Sequence, residues 1–107
     1  MTNSYIGGLS MTLSEKIKAI RKAEGLTRAE FCQLIEISIS TMEKYEMGKF
    51  EPGGTALTKI THHPRFMKYT LWLMSDQVAP ESGQISPSLS PDGYSKTSNN
   101  QRIQKTG

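Results

Sequence analysis

The sequence predicts an all-α protein: a small domain of five short helices followed by a polar tail. Three observations carry that expectation. Apolar residues recur at helical spacing through most of the first three-quarters of the chain. Residues that open helices (Thr, Ser) and residues that close them (Gly) bracket those stretches. The one alternating run, Leu34 to Ser40, has helical patterning on both sides and no partner strand with hairpin chemistry.

The totals agree with one folded unit. The chain has 107 residues, 36% of them apolar and 21% charged, with a net charge of +3. Nearly all long apolar side chains lie between Ile6 and Val78, so the folded part is expected to span about 65 residues. A monomer that small buries a modest fraction of its surface, and dimerisation would add to its stability. The mild positive charge permits phosphate contact without demanding it. One cysteine, Cys32, excludes an internal disulfide framework and suits a reducing compartment; it reads as a small buried helix residue. There is no apolar run of roughly 18 residues and no basic-then-apolar leader, so neither a membrane span nor export is expected.

Residues 1–11 read as a flexible arm, uncharged up to Ser10 and broken by Gly7-Gly8. Thr12 or Ser14 opens the first helix, with Glu15 well placed in its first turn and Leu13, Ile17 and Ile20 forming its apolar stripe. Lys16, Lys18, Arg21 and Lys22 fall on its other faces, which read as solvated, with one or two of them free to reach phosphate. Gly25 ends it.

The stretch Thr27 to Gly48 organises the rest. Thr27 caps a second helix, Glu30 completes a capping box, and Leu26 is placed to staple onto Phe31. Phe31, Leu34 and Ile35 are expected to face the core. Ser38 opens a third helix whose buried side is Met42 and Tyr45, and Gly48 closes it. Ile39, Ser40, Glu43 and Lys44 then point outward. A short helix with a polar, partly basic outer face, braced by a second helix, is the working part of a helix-turn-helix DNA reader.

After a Pro/Gly loop from Lys49 to Gly54, Thr55 to about Thr61 reads as a fourth helix with Leu57 and Ile60 inward. His62-His63 lie at a helix junction, without an acid or thiol at ligand spacing. Pro64 suits the first turn of a fifth helix running to about Ser75. That helix carries two apolar stripes, Phe66-Tyr69-Leu73 and Met67-Leu71-Met74, with Trp72 beside the second. Two faces imply a second surface to cover, and the simplest partner is another copy of the chain. The expected dimer interface is Phe66, Tyr69, Leu71, Trp72, Leu73, Val78 and Ile85, with Gln84-Ile85-Ser86 as one short strand against the mate. Domain boundaries follow: helical domain 12–76, dimer-associated extended segment 77–87, and a Pro/Ser/Asn/Gln-rich tail, 88–107, expected to be disordered.

Thr12 to Gly48 resembles the lambda-repressor-like (Xre-type) helix-turn-helix domain, on Gly25-Leu26-Thr27, Glu30, Ser38-Ile39-Ser40-Thr41-Met42 and Tyr45-Glu46-Met47-Gly48. More narrowly, Lys68-Tyr69-Thr70-Leu71-Trp72, Ala79-Pro80-Glu81-Ser82-Gly83-Gln84-Ile85 and the ending Gln104-Lys105-Thr106-Gly107 resemble the C-type immunity repressors of peduoviruses. The sequence departs from the family at Glu36, where a turn glycine is common, and at Ile39, where a polar base reader is common.

The resemblance implies a dimeric transcriptional repressor that holds a temperate phage in lysogeny by binding double-stranded operator DNA at the early lytic promoter. Its place would be the bacterial host cytoplasm, at the nucleoid. It implies direct-repeat operators and, without a protease-like domain, no cleavage-based induction. It also implies a structural salt bridge between Arg21 and Glu46, a phosphate contact at Arg28, and groove-facing roles for Ser38, Ile39, Ser40, Thr41, Glu43 and Lys44, with Lys49 on the backbone. The chemistry fits: Lys44 can donate to guanine, Glu43 can accept from cytosine N4, and Ile39 can pack on a thymine methyl. No cofactor, metal or small-molecule ligand is expected. An Xre-type antitoxin is the alternative, to be separated by co-purification with a toxin. An enzyme would have to use Cys32, His62, His63 or Asp76, which show no nucleophile–base or metal spacing.

Overall fold

Thr12 opens the first helix by closing a reciprocal box. Its hydroxyl accepts from the Glu15 amide (3.1 Å) while its own amide donates to the Glu15 carboxylate (2.8 Å). In the computed structural model, which describes residues 11–87, this helix is α1, Leu13–Ala23. The expectations for the arm up to Ser10 and for the tail at 88–107 lie outside the described residues. Thr27 and Glu30 repeat the box, at 3.1 and 2.8 Å, to start α2, Arg28–Ile35. Ser38 caps α3, Ile39–Glu46, by accepting from the Thr41 amide at 3.1 Å. Two further helices, α4 (Gly54–Thr61) and α5 (Thr70–Ser75), complete the five α-helices among the described residues.

The alternating run resolves into a helix end, a turn and a helix start. Ile35 is buried, Ile37 half-buried and Ile39 exposed. Glu36 makes the turn in the left-handed region (φ 59°, ψ 51°), where a glycine would be unstrained. Lys59 steadies it from α4 by donating to the Glu36 carbonyl at 2.8 Å. Leu34, expected inward, is exposed. Phe31, Cys32 and Ile35 already fill the buried face of α2, which turns Leu34 away.

The core joins Ile17 and Ile20 of α1, Phe31 and Ile35 of α2, Met42 of α3, Ile60 of α4, and Phe66, Tyr69 and Leu73. Phe31 and Phe66 meet edge to face, with ring centroids 5.0 Å apart. This corrects the interface expected of Phe66, Tyr69 and Leu73: all three are at most 1% exposed and belong to the protomer's own core. The fifth helix is also shorter than expected. The His63 carbonyl accepts from both Phe66 and Met67 amides, and Arg65 donates its amide to His63 Nδ1 at 3.1 Å. That turn swings Phe66 inward, and a 3-10 turn, Met67–Tyr69, leads into α5.

Residues 77–87 fold back on their own chain. Among the described residues there is no β-strand, only an isolated antiparallel bridge between Ala79 and Gln84 around the 3-10 turn Pro80–Ser82. The strand expected from Gln84 to Ser86 is therefore corrected: the Ile85 amide donates to the Lys68 carbonyl at 2.9 Å. The Gln84 side chain accepts from the Leu71 amide (2.9 Å) and donates to the Met67 carbonyl (3.1 Å), capping a helix start that has no cap of its own.

Two of the cations read as solvated on α1, Lys16 and Arg21, are instead buried. Lys16 donates to the Trp72 and Leu73 carbonyls (3.1 and 3.2 Å) and pairs with Asp76, satisfying the open C-terminal end of α5. Near the end of α1, the Glu24 carboxylate is 1% exposed and accepts from Arg65 (2.8 Å), Lys68 (3.0 Å) and the Tyr69 hydroxyl (2.6 Å). Burial pushes its pKa up, but the hydrogen bonds from Arg65, Tyr69 and Lys68 outweigh it and hold the group below the usual carboxylate value of 4.5. No helix among the described residues is long and apolar enough to cross a membrane.

Two stability measurements check these contacts. Glu36→Gly should raise the unfolding free energy by about 0.5–1 kcal/mol in urea titrations, because relief of the left-handed strain exceeds glycine's added chain entropy. An unchanged or lower midpoint would contradict the strain. Glu24 contributes stability above pH 4.5 that is lost as pH falls through its depressed folded pKa. Wild-type melting temperature should therefore drop below about pH 4.5, and Glu24→Gln should flatten that drop while costing roughly 1–3 kcal/mol at neutral pH.

Candidate nucleic-acid interface

α3 is held by its apolar anchor Met42, with Tyr45 packed against the core beside it, and presents one row of side chains outward. Ile39, Ser40, Glu43 and Lys44 are exposed, and Thr41 is half-buried. Ser38 serves the helix start as well as its surface: its hydroxyl donates to Thr41 Oγ1 at 2.8 Å and accepts the Thr41 amide. Ile39 leaves 47% of its surface open at the helix's first turn, an apolar spot in a polar row.

The orientation of this row is set from beneath. Glu46, at the end of α3, has a side chain only 2% exposed. Arg21 of α1 donates to it from Nε (2.9 Å) and from a terminal nitrogen (3.2 Å), and spends its other terminal nitrogen on the Leu26 carbonyl (3.0 Å). Arg28, the first residue of α2, donates to the same carboxylate from Nε and NH2 at 3.3 and 3.1 Å. Burial raises the Glu46 pKa, but the two guanidinium groups more than offset that and hold it below the ordinary carboxylate value. Arg28 also reaches Glu43, with NH1 3.6 Å from the carboxylate. Arg28, Glu43 and Glu46 are thus one cluster.

A second cluster forms after α3. Lys49 and Phe50 both turn their amides back to the Lys44 carbonyl, at 2.9 and 3.4 Å. That hairpin of chain brings the Phe50 ring under Lys44, with Nζ 5.4 Å from the ring centroid. Phe50 is 55% exposed, and Lys44 and Lys49 are exposed beside it. Sequence reasoning passed over Phe50 because it sits in a Pro/Gly loop; its place beside Lys49, directly after α3, was the available signal.

The remaining site residues lie elsewhere. Trp72 and Leu71 are half-buried on α5, and Met67, Met74 and Val78 are exposed near them. Met11, Ala19, Trp72, Ser86 and Pro87 line a shallow hollow of about 330 Å³. Ile85 is half-buried against the core. Among the described residues, no group of three His, Cys, Asp or Glu side chains could hold a metal ion. His62 Nδ1 lies 3.0 Å from the Thr58 carbonyl, and His63 Nδ1 accepts from the Arg65 amide, so one nitrogen of each ring is engaged in local structure. Cys32 is buried, and that burial pushes its thiol pKa up, the wrong direction for a nucleophile.

Comparison with known proteins meets this geometry. The family described as Helix-turn-helix (HTH_3) matches residues 17–63, which run from the middle of α1 through α2 and α3 to just past the end of α4. Repressor protein C of Escherichia phage P2 is 41% identical over 99 residues, covering 92% of this chain and 100% of that protein. An identity of that size extends through α5 and the segment behind it, well past the helix-turn-helix itself. The chain belongs to the family of helix-turn-helix phage repressors that includes Repressor protein C of phage P2.

Proposed function

We propose that this protein binds operator DNA as a homodimer and represses the early lytic promoter of a temperate phage, acting at the nucleoid of the host cytoplasm. The observation that carries the reading is the exposed α3 row of Ile39, Ser40 and Lys44, locked in place by Glu46 through Arg21 and Arg28. Lys44 is suited to guanine O6 or N7 and Ile39 to a thymine methyl, while Ser40 and Thr41 can serve base or phosphate. Arg28 and Lys49 are suited to the phosphate backbone. Phe50 supports Lys44 from the loop and offers its open edge to a sugar or a thymine. The full-length similarity to a phage repressor favours this reading over an antitoxin.

The dimer rests on a narrower surface than the sequence suggested. Leu71, Trp72, Met67, Met74 and Val78 remain available, beside the hollow at Trp72. One helix-turn-helix module buries roughly 600–1,000 Å² on DNA, and pairing two modules raises affinity through effective concentration. Two reader helices about 34 Å apart would then meet successive turns of one DNA face.

Fluorescence anisotropy on duplexes from the phage early region tests the reading. Affinity should fall steeply with salt, and Lys44→Ala should weaken specific binding by about 1–3 kcal/mol while relaxing preference at one base position per half-site. Flat binding between about 50 and 200 mM salt would refute it. For the dimer, Trp72→Glu should sediment as a folded monomer with poor operator affinity. Leu73→Glu should instead unfold, since burying an unpaired carboxylate costs several kcal/mol. A fully dimeric Trp72→Glu protein would place the interface elsewhere.

A further inference from the structure

We infer that Glu43 is a positioning residue that keeps the NH1 end of Arg28 from DNA phosphate until a base in the groove takes the place of Arg28 as its partner. The inference rests on the DNA-reading proposal above and adds to it a mechanism of discrimination.

The guanidinium of Arg28 is divided between two carboxylates. Its Nε and NH2 are committed to the buried Glu46, and its NH1 leans on Glu43 at 3.6 Å. The two acids differ in what they can do. Glu46 is 2% exposed and keeps Nε and NH2, whereas the Glu43 side chain is 51% exposed, so NH1 is the end of Arg28 that can change partner. Arg21 gives nothing to a ligand, since all three of its nitrogens are engaged internally. Charge in the cluster also balances: Arg21 and Arg28 face Glu43 and Glu46. The exposed Lys44 and Lys49 draw phosphate to this surface, but the four-residue cluster itself adds no net positive charge while Glu43 stays paired with Arg28.

Release has a consequence set by position. Glu43 lies four residues after Ile39, one turn along the same outward row. A carboxylate freed from Arg28 in the major groove needs a donor. Cytosine N4 or adenine N6 supplies one, while guanine O6 and N7 or thymine O4 would repel it. The backbone contact of Arg28 and the base contact of Glu43 are then two halves of one exchange. On a matching site both are made. On random DNA the phosphate contact costs the ion pair and leaves Glu43 unpaired, so the arrangement lowers non-specific affinity.

A double-mutant cycle on the full chain tests this: wild type, E43Q, R28Q and R28Q/E43Q, each titrated against a random-sequence 30-bp duplex and an operator duplex at several salt concentrations. E43Q should raise affinity for random duplex roughly two- to fivefold, the range of an exposed ion pair. It should also steepen the log–log salt slope by about 0.9, one extra neutralised phosphate, and lower the operator-to-random ratio. In the R28Q background the same change should leave the slope unmoved. E51Q removes an exposed acid from the neighbouring loop and controls for diffuse charge; it should have the smaller effect. If R28Q does not fold, Arg28→Met, which keeps the aliphatic stem, replaces it. An E43Q gain that is equal in both backgrounds, equalled by E51Q, or absent would overturn the inference while leaving DNA binding intact. A wild-type protein that binds no duplex would overturn the DNA-reading proposal itself.

Discussion

The carboxylate of Glu46 is the constraint on which the rest of this structure depends. A helix of eight residues does not hold its shape alone in water, so α3 must take its orientation from its neighbours. Met42 anchors one side by burial, but an apolar contact is non-directional and would leave the helix free to roll. The ion pairs supply direction. Two guanidinium forks, one from α1 and one from α2, converge on one carboxylate at 2.9–3.3 Å, and a shift in any of the three helices leaves a buried charge short of donors. α3 is fixed because misplacing it is electrostatically expensive.

The same device recurs at other element ends. Lys16 closes the C-terminal end of α5, the Gln84 amide closes its start, and Lys59 steadies the left-handed turn after α2. Glu24 ties the end of α1 to Arg65, Lys68 and Tyr69. Each of these polar side chains is distant in sequence from the group it satisfies. A domain with so small an apolar core draws much of its specificity from such directed contacts, which define one arrangement of helices where hydrophobic burial alone would accept several.

That division explains what could be read from the sequence. Thr12–Glu15, Thr27–Glu30 and Ser38–Thr41 are contacts within three residues, so helix starts were legible. The left-handed turn at Glu36 was visible as a missing glycine. What the sequence could not show was rotation. Periodicity placed Leu34 on the core side of α2, but the pairing of Phe31, Cys32 and Ile35 turned that face by part of a turn. On the expected fifth helix from Pro64 to about Ser75 it found two apolar stripes and gave Phe66, Tyr69 and Leu73 to a partner; that they are core required knowing that residues 64–66 make a turn rather than helix. Lys16 looked like its solvated neighbours because the carbonyls it caps lie more than fifty residues away. The outward row Ile39, Ser40, Glu43 and Lys44 of α3 was legible from the helical pattern, whereas the Phe50–Lys44 and Arg28–Glu43 contacts depend on how the loop and α2 come to rest against that helix.

The geometry also bears on how a dimer formed through the Trp72 face would meet DNA. Trp72 lies beside Leu73, whose side chain is in the core, so the outward surface of α5 is one residue removed from the centre of the fold. Lys16 grips the end of that helix from α1, with its ammonium also 5.4 Å from the Trp72 ring. Five residues further along α1, Arg21 grips Glu46 at the end of α3. A single helix of eleven residues thus links the proposed partner surface to the reader helix through a buried cation at each connection. No loop intervenes in that path. The spacing of two reader helices in such a dimer would therefore be set by rigid parts, and an operator with differently spaced or differently oriented half-sites would have to be accommodated by bending of the DNA or by rolling at the dimer contact itself.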